Sequence, residues 1–172
     1  VRVIGIDPGL TRCGIGVVDA TVGRASFVAV GVVRTPSDLP TPKRLVMIES
    51  GIVEWVREHS PDAMAIERVF AQHNRSSVMD TMQAAGVASL VGEHAGLDVT
   101  YHTPSEVKAA VTGSGSADKA QVTAMITRIL KLSAPPRPAD AADALAVAIT
   151  HGWRGVRTNR YAAAVAAAKG RR

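Results

Sequence analysis

Four acidic residues stand where the surrounding pattern calls for apolar side chains. Asp7 ends the apolar run VRVIGI, Glu67 ends a second run, AMAI, and Asp140 and Asp143 open the apolar stretch ADAADALAVAITHGW. Taken singly, each has a plain structural reading. Asp7 before Pro8 and Gly9 suits a turn-forming Asx residue. Glu67 can pair with Arg68 or leave a sheet edge for water, and an acid in the first turn of a helix is favoured by the helix dipole. Taken together they point elsewhere. Two strand ends and one helix start can meet in space, and Asp140 and Asp143, three apart, share a helix face. Four carboxylates in one place raise each other's pKa and cannot all stay ionised without cations. Hard oxygen ligands of this kind suit Mg²⁺ or Mn²⁺. A pair of such ions, about 3.5–4 Å apart, hydrolyses phosphodiesters without any nucleophilic side chain.

Other candidate motifs are weaker. His59, His73, His94, His102 and His151 show no metal-ligand spacing and read as surface or core residues. GLTRCGIG is glycine-rich but is followed by a strand pattern and lacks the GK[ST] of a phosphate loop. TGSGSADK sets a glycine turn before a helix start that carries Lys119, which reads equally as a phosphate cradle or a plain loop. Phe70 lies in a polar loop with Gln72, His73, Asn74 and Arg75. An exposed aromatic there can stack on bases, or it folds back on the core.

The elements that must position these residues follow from periodicity. Residues 1–7, 13–20 and 25–35 read as strands joined by short turns, hence antiparallel hairpins. Thr41 reads as an N-cap with Pro42 at the first helical position, and Leu45, Ile48, Ile52 and Val56 space out a helix over 42–59. Strand 62–67, helix 76–95 and strand 97–102 come next. Helix 103–112 opens with Thr103 and Glu106 at capping-box spacing. Helices 117–132 and 139–153 complete the order β-β-β-α-β-α-β-α-α-α. Hairpins first and βα alternation later predict a single α/β domain, a mixed sheet with helices on both faces. The small residues of 76–95 form a face for close helix approach, read as the subunit interface, with tight packing on the sheet as the alternative.

Composition agrees with one aliphatic core. The chain has 172 residues, 47% of them hydrophobic and 3% aromatic. The net charge of +5 comes from residues 154–172, a basic, Ala- and Arg-rich tail with six basic residues and no acid. Such a tail binds polyanions or is simply solvated, and is expected to be disordered rather than part of the domain over 1–153. The one cysteine, Cys13, forms no internal bridge, which suits a reducing, cytoplasmic setting. It reads as a small core residue or as a half-exposed thiol. No apolar run is long enough for a membrane span, and no signal peptide is visible.

The blocks IGIDPGLTRCGIGVV, AIERVF, VKAAVTGSGSADKAQV and ADAADALAVAITH occur in this order over residues 2–152. Jointly they resemble the RuvC family of bacterial Holliday-junction resolvases. The resemblance implies an RNase H-like fold with a five-stranded mixed sheet flanked by helices. It maps the family's acidic quartet onto Asp7, Glu67, Asp140 and Asp143, its basic residues near the cleaved strand onto Lys108 and Lys119, and its junction-probing aromatic onto Phe70. It also implies a homodimer that nicks two strands of a four-way DNA junction symmetrically, with two Mg²⁺ ions per site, and a handover from the RuvAB branch-migration complex on nucleoid DNA. The tail after Trp153 matches no family motif. Two other readings compete with this one. An ATPase of the sugar-kinase and actin type needs a second lobe that this chain is too short to hold. A non-catalytic junction binder has no use for a negative cluster.

Overall fold

The computed structural model describes the backbone of residues 1–68 and 75–169 and the side chains of residues 1–68 and 78–154. Strands β1 (Arg2–Asp7), β2 (Arg12–Thr21) and β3 (Arg24–Arg34) form an antiparallel meander. Its second turn closes on Gly23, which takes the left-handed φ of 73°. Helix α1 (Thr41–His59) leads to β4 (Ala63–Glu67), and α2 (Arg75–His94) leads to β5 (Asp98–His102). Both of these strands run parallel to β1, and the sheet order is β3-β2-β1-β4-β5. Helices α3 (Pro104–Thr112), α4 (Lys119–Ile129) and α5 (Ala139–Lys169) follow. The expected five-stranded mixed sheet with helices on both faces is therefore present.

Strand alternation sorts the side chains into two cores. Ile4, Ile6, Ile15, Val17, Met64 and Ile66 face α1 and α2. Val3, Val18 and Ala65 face the other way, onto Val107, Val122, Leu145 and Ile149 of α3, α4 and α5. In β1 this alternation sends Asp7 to the same side as Val3, the side that α5 covers. Helix α5 lies unusually close. Gly5 and Gly16 are cross-strand partners, and Gly14 is the partner of Asp7. A Cβ at Gly5 would come within 2.2 Å of the Ala144 carbonyl oxygen, one at Gly16 within 2.7 Å of the Leu145 nitrogen, and one at Gly14 within 2.1 Å of the Asp140 carbonyl oxygen. The helix backbone rests directly on the sheet backbone.

Three local expectations differ from the structure. Thr41 is the first helical residue of α1 and the N-cap position is Pro40, without a side-chain cap bond. Pro42 near the helix start fixes a helical φ whether or not a cap is present, and that masks the boundary. Helix α5 runs on to Lys169 rather than ending at residue 153, in keeping with the high helix propensity of its alanines. The small face of α2 packs on the sheet: Ala84, Ala85 and Ala88 are buried, and Gly92 lies against Val99 and Met64. The outward face carries Met79, Met82 and Leu90, each more than half exposed. The capping box of Thr103 and Glu106 forms as read. No helix among the described residues is long and apolar enough to cross a membrane.

Replacing Gly14 by Ala should destabilise the fold by about 1–3 kcal/mol through overpacking. That corresponds to a drop of about 2–4 °C in the thermal midpoint per kcal/mol. A Gly14→Ala variant melting with the parent protein would show that α5 is not seated as described.

Candidate active site

Asp7 and Glu67 end two neighbouring parallel strands whose residues Ile6 and Ile66 are in register. Their carboxyl groups therefore point to the same face, side by side, and share a hydrogen bond. Asp140 enters from the first turn of α5, and Asp143 from one helical step beyond it. The electrostatics follow from this convergence. Burial, then the charges of Glu67, Asp143 and Asp140, push the Asp7 carboxyl up to about 8. Burial and Asp143 push Glu67 up as well, while the hydrogen bond from Asp7 and the charges of Lys119 and Lys108 work against that rise. The sequence-predicted quartet is thus brought together by two strands and one helix.

Lys119 is the first residue of α4, behind a capping box of Asp118 and Gln121. Its ammonium donates to Asp143 Oδ2 at 3.1 Å and is held above its ordinary value chiefly by that carboxylate. The TGSGSADK segment thus delivers a lysine to the acids. Lys108, half-buried on α3, is close enough for its charge to act on Glu67. Phe70 lies outside the described residues, as does the side chain of Arg75.

Two basic residues that the sequence reading passed over belong to this region. Arg12, at the start of β2, places Nε 3.0 Å from Asp140 Oδ2. Nothing local marks it, because its partner lies far along the chain. Arg44 is buried and binds the hydroxyls of Thr35 and Thr11. Its position four residues before Ile48 and eight before Ile52, on the buried face of α1, is a signal that helical periodicity carries. Of the histidines among the described residues, His102 and His151 are buried and His94 is exposed, while His73 lies outside them. His102, the register partner of Glu67, meets His151 of α5 at 3.1 Å, and burial keeps the His102 imidazole down at about 4. Cys13 is buried, and its thiol is pushed up to about 12, so it is no nucleophile.

The donor set is tested for a divalent cation by its own atoms. Among the described residues no group of three or more His, Cys, Asp or Glu side chains is placed to hold a metal ion. The two acids of α5 are instead engaged by Lys119 and Arg12. Yet Asp140 Oδ2 is enclosed and accepts no hydrogen bond, and the Asp7 carboxyl is held up first by burial and then by the charges of Glu67, Asp143 and Asp140. All the donors are carboxylate oxygens. An enclosed oxygen without a donor and a carboxyl crowded by like charges fit a hard divalent ion.

The chain matches the model of the family described as crossover junction endodeoxyribonuclease RuvC over residues 3–151. It is 63% identical over 169 residues to the crossover junction endodeoxyribonuclease RuvC of a Nocardioides species, spanning 98% of this chain and 96% of that protein. Among solved structures it is similar to T. thermophilus RuvC in complex with a Holliday junction substrate, with a TM-score of 0.86 and 34% identity over 91% of this chain and 96% of that one. The yeast mitochondrial Holliday junction resolvase Ydc2 shares the fold, with a TM-score of 0.62 at 10% identity over 88% of this chain and 76% of that one. With the acids of two strand ends and one helix converging on the same edge of a matching sheet, the chain belongs to the RuvC family of crossover junction endodeoxyribonucleases.

Proposed function

We propose that this chain resolves four-way DNA junctions in recombination and repair by paired, symmetric nicks, using Asp7, Glu67, Asp140 and Asp143 as ligands for two Mg²⁺ ions, with Mn²⁺ as a substitute. The carrying observation is the convergence of Asp7 and Glu67, at the ends of two neighbouring strands, with Asp140 and Asp143 of α5, where burial and then the three other acids push the Asp7 carboxyl up. When bound there, the metal pair supplies an activated water and a counter-charge for the leaving oxygen. Asp7, Glu67, Asp140 and Asp143 would together hold these ions. Lys119 leaves Asp143 to stabilise charge on the phosphate or orient the water. Lys108 and Arg75 contact the backbone of the DNA, and Phe70 stacks at the junction.

The same reading assigns a homodimer, since a two-fold protein matches a nearly two-fold junction. The outward face of α2 supports it: Met79, Met82, Gly86 and Leu90 recur at helical spacing, and a Cβ at Gly86 would meet open space. The junction reaches this dimer from the RuvAB branch-migration complex, on nucleoid DNA in the cytoplasm.

Asp7→Asn should abolish cutting of a synthetic four-way junction in Mg²⁺ while junction binding in Ca²⁺ persists. Linear duplex and RNA–DNA hybrid should stay uncut by the parent enzyme. Retained cutting by the variant would sink the assignment. The proton on Asp7 yields a second test. In the folded chain it is held up to about 8, and in the unfolded chain it leaves near 3.8. Between these values the folded state binds more protons, so stability falls as pH rises through this window. In a chelating buffer, Asp7→Asn should therefore melt several degrees above the parent at pH 8.5, with the gap closing toward pH 4. Added Mg²⁺ should stabilise the parent at pH 8.5 and not the variant. For the dimer, Leu90→Glu should shift the protein to monomer in sedimentation. It should also turn paired cuts in a supercoiled cruciform plasmid into single nicks, so that nicked circles replace linear product.

A further inference from the structure

We infer that Arg12 is a resident counter-cation for Asp140, which a divalent ion must displace as the site loads and which a DNA phosphate then receives. This rests on the reading of the four acids as metal ligands.

The turn that presents Arg12 is tightly braced. It begins at Asp7 and passes through Pro8–Thr11. Thr35 Oγ1 donates to the Leu10 carbonyl at 2.6 Å, and the Thr35 amide donates to the Thr11 carbonyl at 3.1 Å. The buried Arg44 donates through Nε to Thr35 Oγ1 at 2.8 Å and through a terminal nitrogen to Thr11 Oγ1 at 2.7 Å. Gly9 presses on the Arg12 carbonyl oxygen, where a Cβ would stand only 2.3 Å away. The backbone of Arg12 is therefore fixed. Its side chain is not, being 52% exposed.

From this mount the guanidinium reaches Asp140 Oδ2 at 3.0 Å, yet that oxygen accepts no hydrogen bond. The contact is one of charge without alignment. It differs from the Lys119–Asp143 pair, which is hydrogen-bonded. An enclosed carboxylate oxygen with a cation beside it and no donor on it is open to a stronger, oxygen-seeking cation. The two cations repel each other and compete for one oxygen, so binding a metal costs the Arg12 contact. The freed guanidinium, half-exposed beside the acids, is a planar fork suited to a phosphate. Metal and DNA then favour each other's binding, because each takes what the other leaves.

Mn²⁺ binding by electron paramagnetic resonance tests this without catalysis. Without DNA, Arg12→Gln should lower the Mn²⁺ Kd roughly tenfold relative to the parent protein, the scale of one unit charge removed from beside a divalent ion near the surface. Arg34, the exposed cross-strand partner of Arg12, is the control: Arg34→Gln removes the same charge from the same strand pair without touching Asp140 and should change Kd by no more than about twofold. With a four-way junction carrying uncleavable linkages present, the advantage of Arg12→Gln should narrow. An unchanged Kd in Arg12→Gln, an equal gain in Arg34→Gln, or an unchanged gap on DNA would each overturn the inference. If the parent and Asp7→Asn bound Mn²⁺ alike, the metal-ligand reading itself would fall, and the inference with it.

Discussion

Everything at this site depends on how close α5 comes to the sheet. Across the strip where the helix passes, β1 and β2 present Gly5, Gly16 and Gly14, so backbone meets backbone. With side chains there, the first turn of α5 would stand off from the strand ends, and Asp140 and Asp143 would face solvent rather than Asp7. The apolar body of the same helix holds it down. Leu145, Val147 and Ile149 are fully buried, each contributing about 1.5–3 kcal/mol by the usual area estimate. That burial offsets the electrostatic cost of driving two carboxylates toward two others. The fold thus spends stability at its functional edge and recovers it one and two helical turns further along.

Charge balance around the acids is uneven. The strand acids, Asp7 and Glu67, face each other and share a hydrogen bond, and their carboxyls are raised by burial and crowding. The helix acids each have a base, but the two bases differ in kind. Lys119 comes from a capped helix start and makes an aligned bond. Arg12 comes from a braced turn and makes only a charge contact. The neutral His102–His151 pair closes the row beyond Glu67 and ties β5 to α5 without adding charge. A site so arranged carries its negative charge in the middle and its mobile positive charge on the rim, where a polyanionic backbone would enter.

Much of this was legible in the sequence because the signals are local. An acid closing an apolar strand, or opening an apolar helix, conflicts with its surroundings, and such conflicts mark function. Element order and the Thr103–Glu106 cap follow from short-range chemistry in the same way. What stayed hidden depends on pairing at long range. Arg12 looks like any surface arginine until α5 is laid over β2. The small residues of α2 announce close packing but not the partner, and the partner is the sheet. Thr41 looked like a cap because it precedes a proline, whereas a proline at a helix start needs none.

The parts of the site lie far apart in the chain. Asp7 and Glu67 are made early, and Asp140 and Asp143 near the end, on the helix that covers the first strand. During synthesis, the emerging chain has half of its carboxylates and no lid over them. Folding of domains proceeds from the N-terminus as the ribosome works, but here the catalytic edge is closed by the last element. A chain broken off before residue 140 lacks Asp140, Asp143 and the helix that covers Asp7, so the acid cluster comes into being only when the last helix is made.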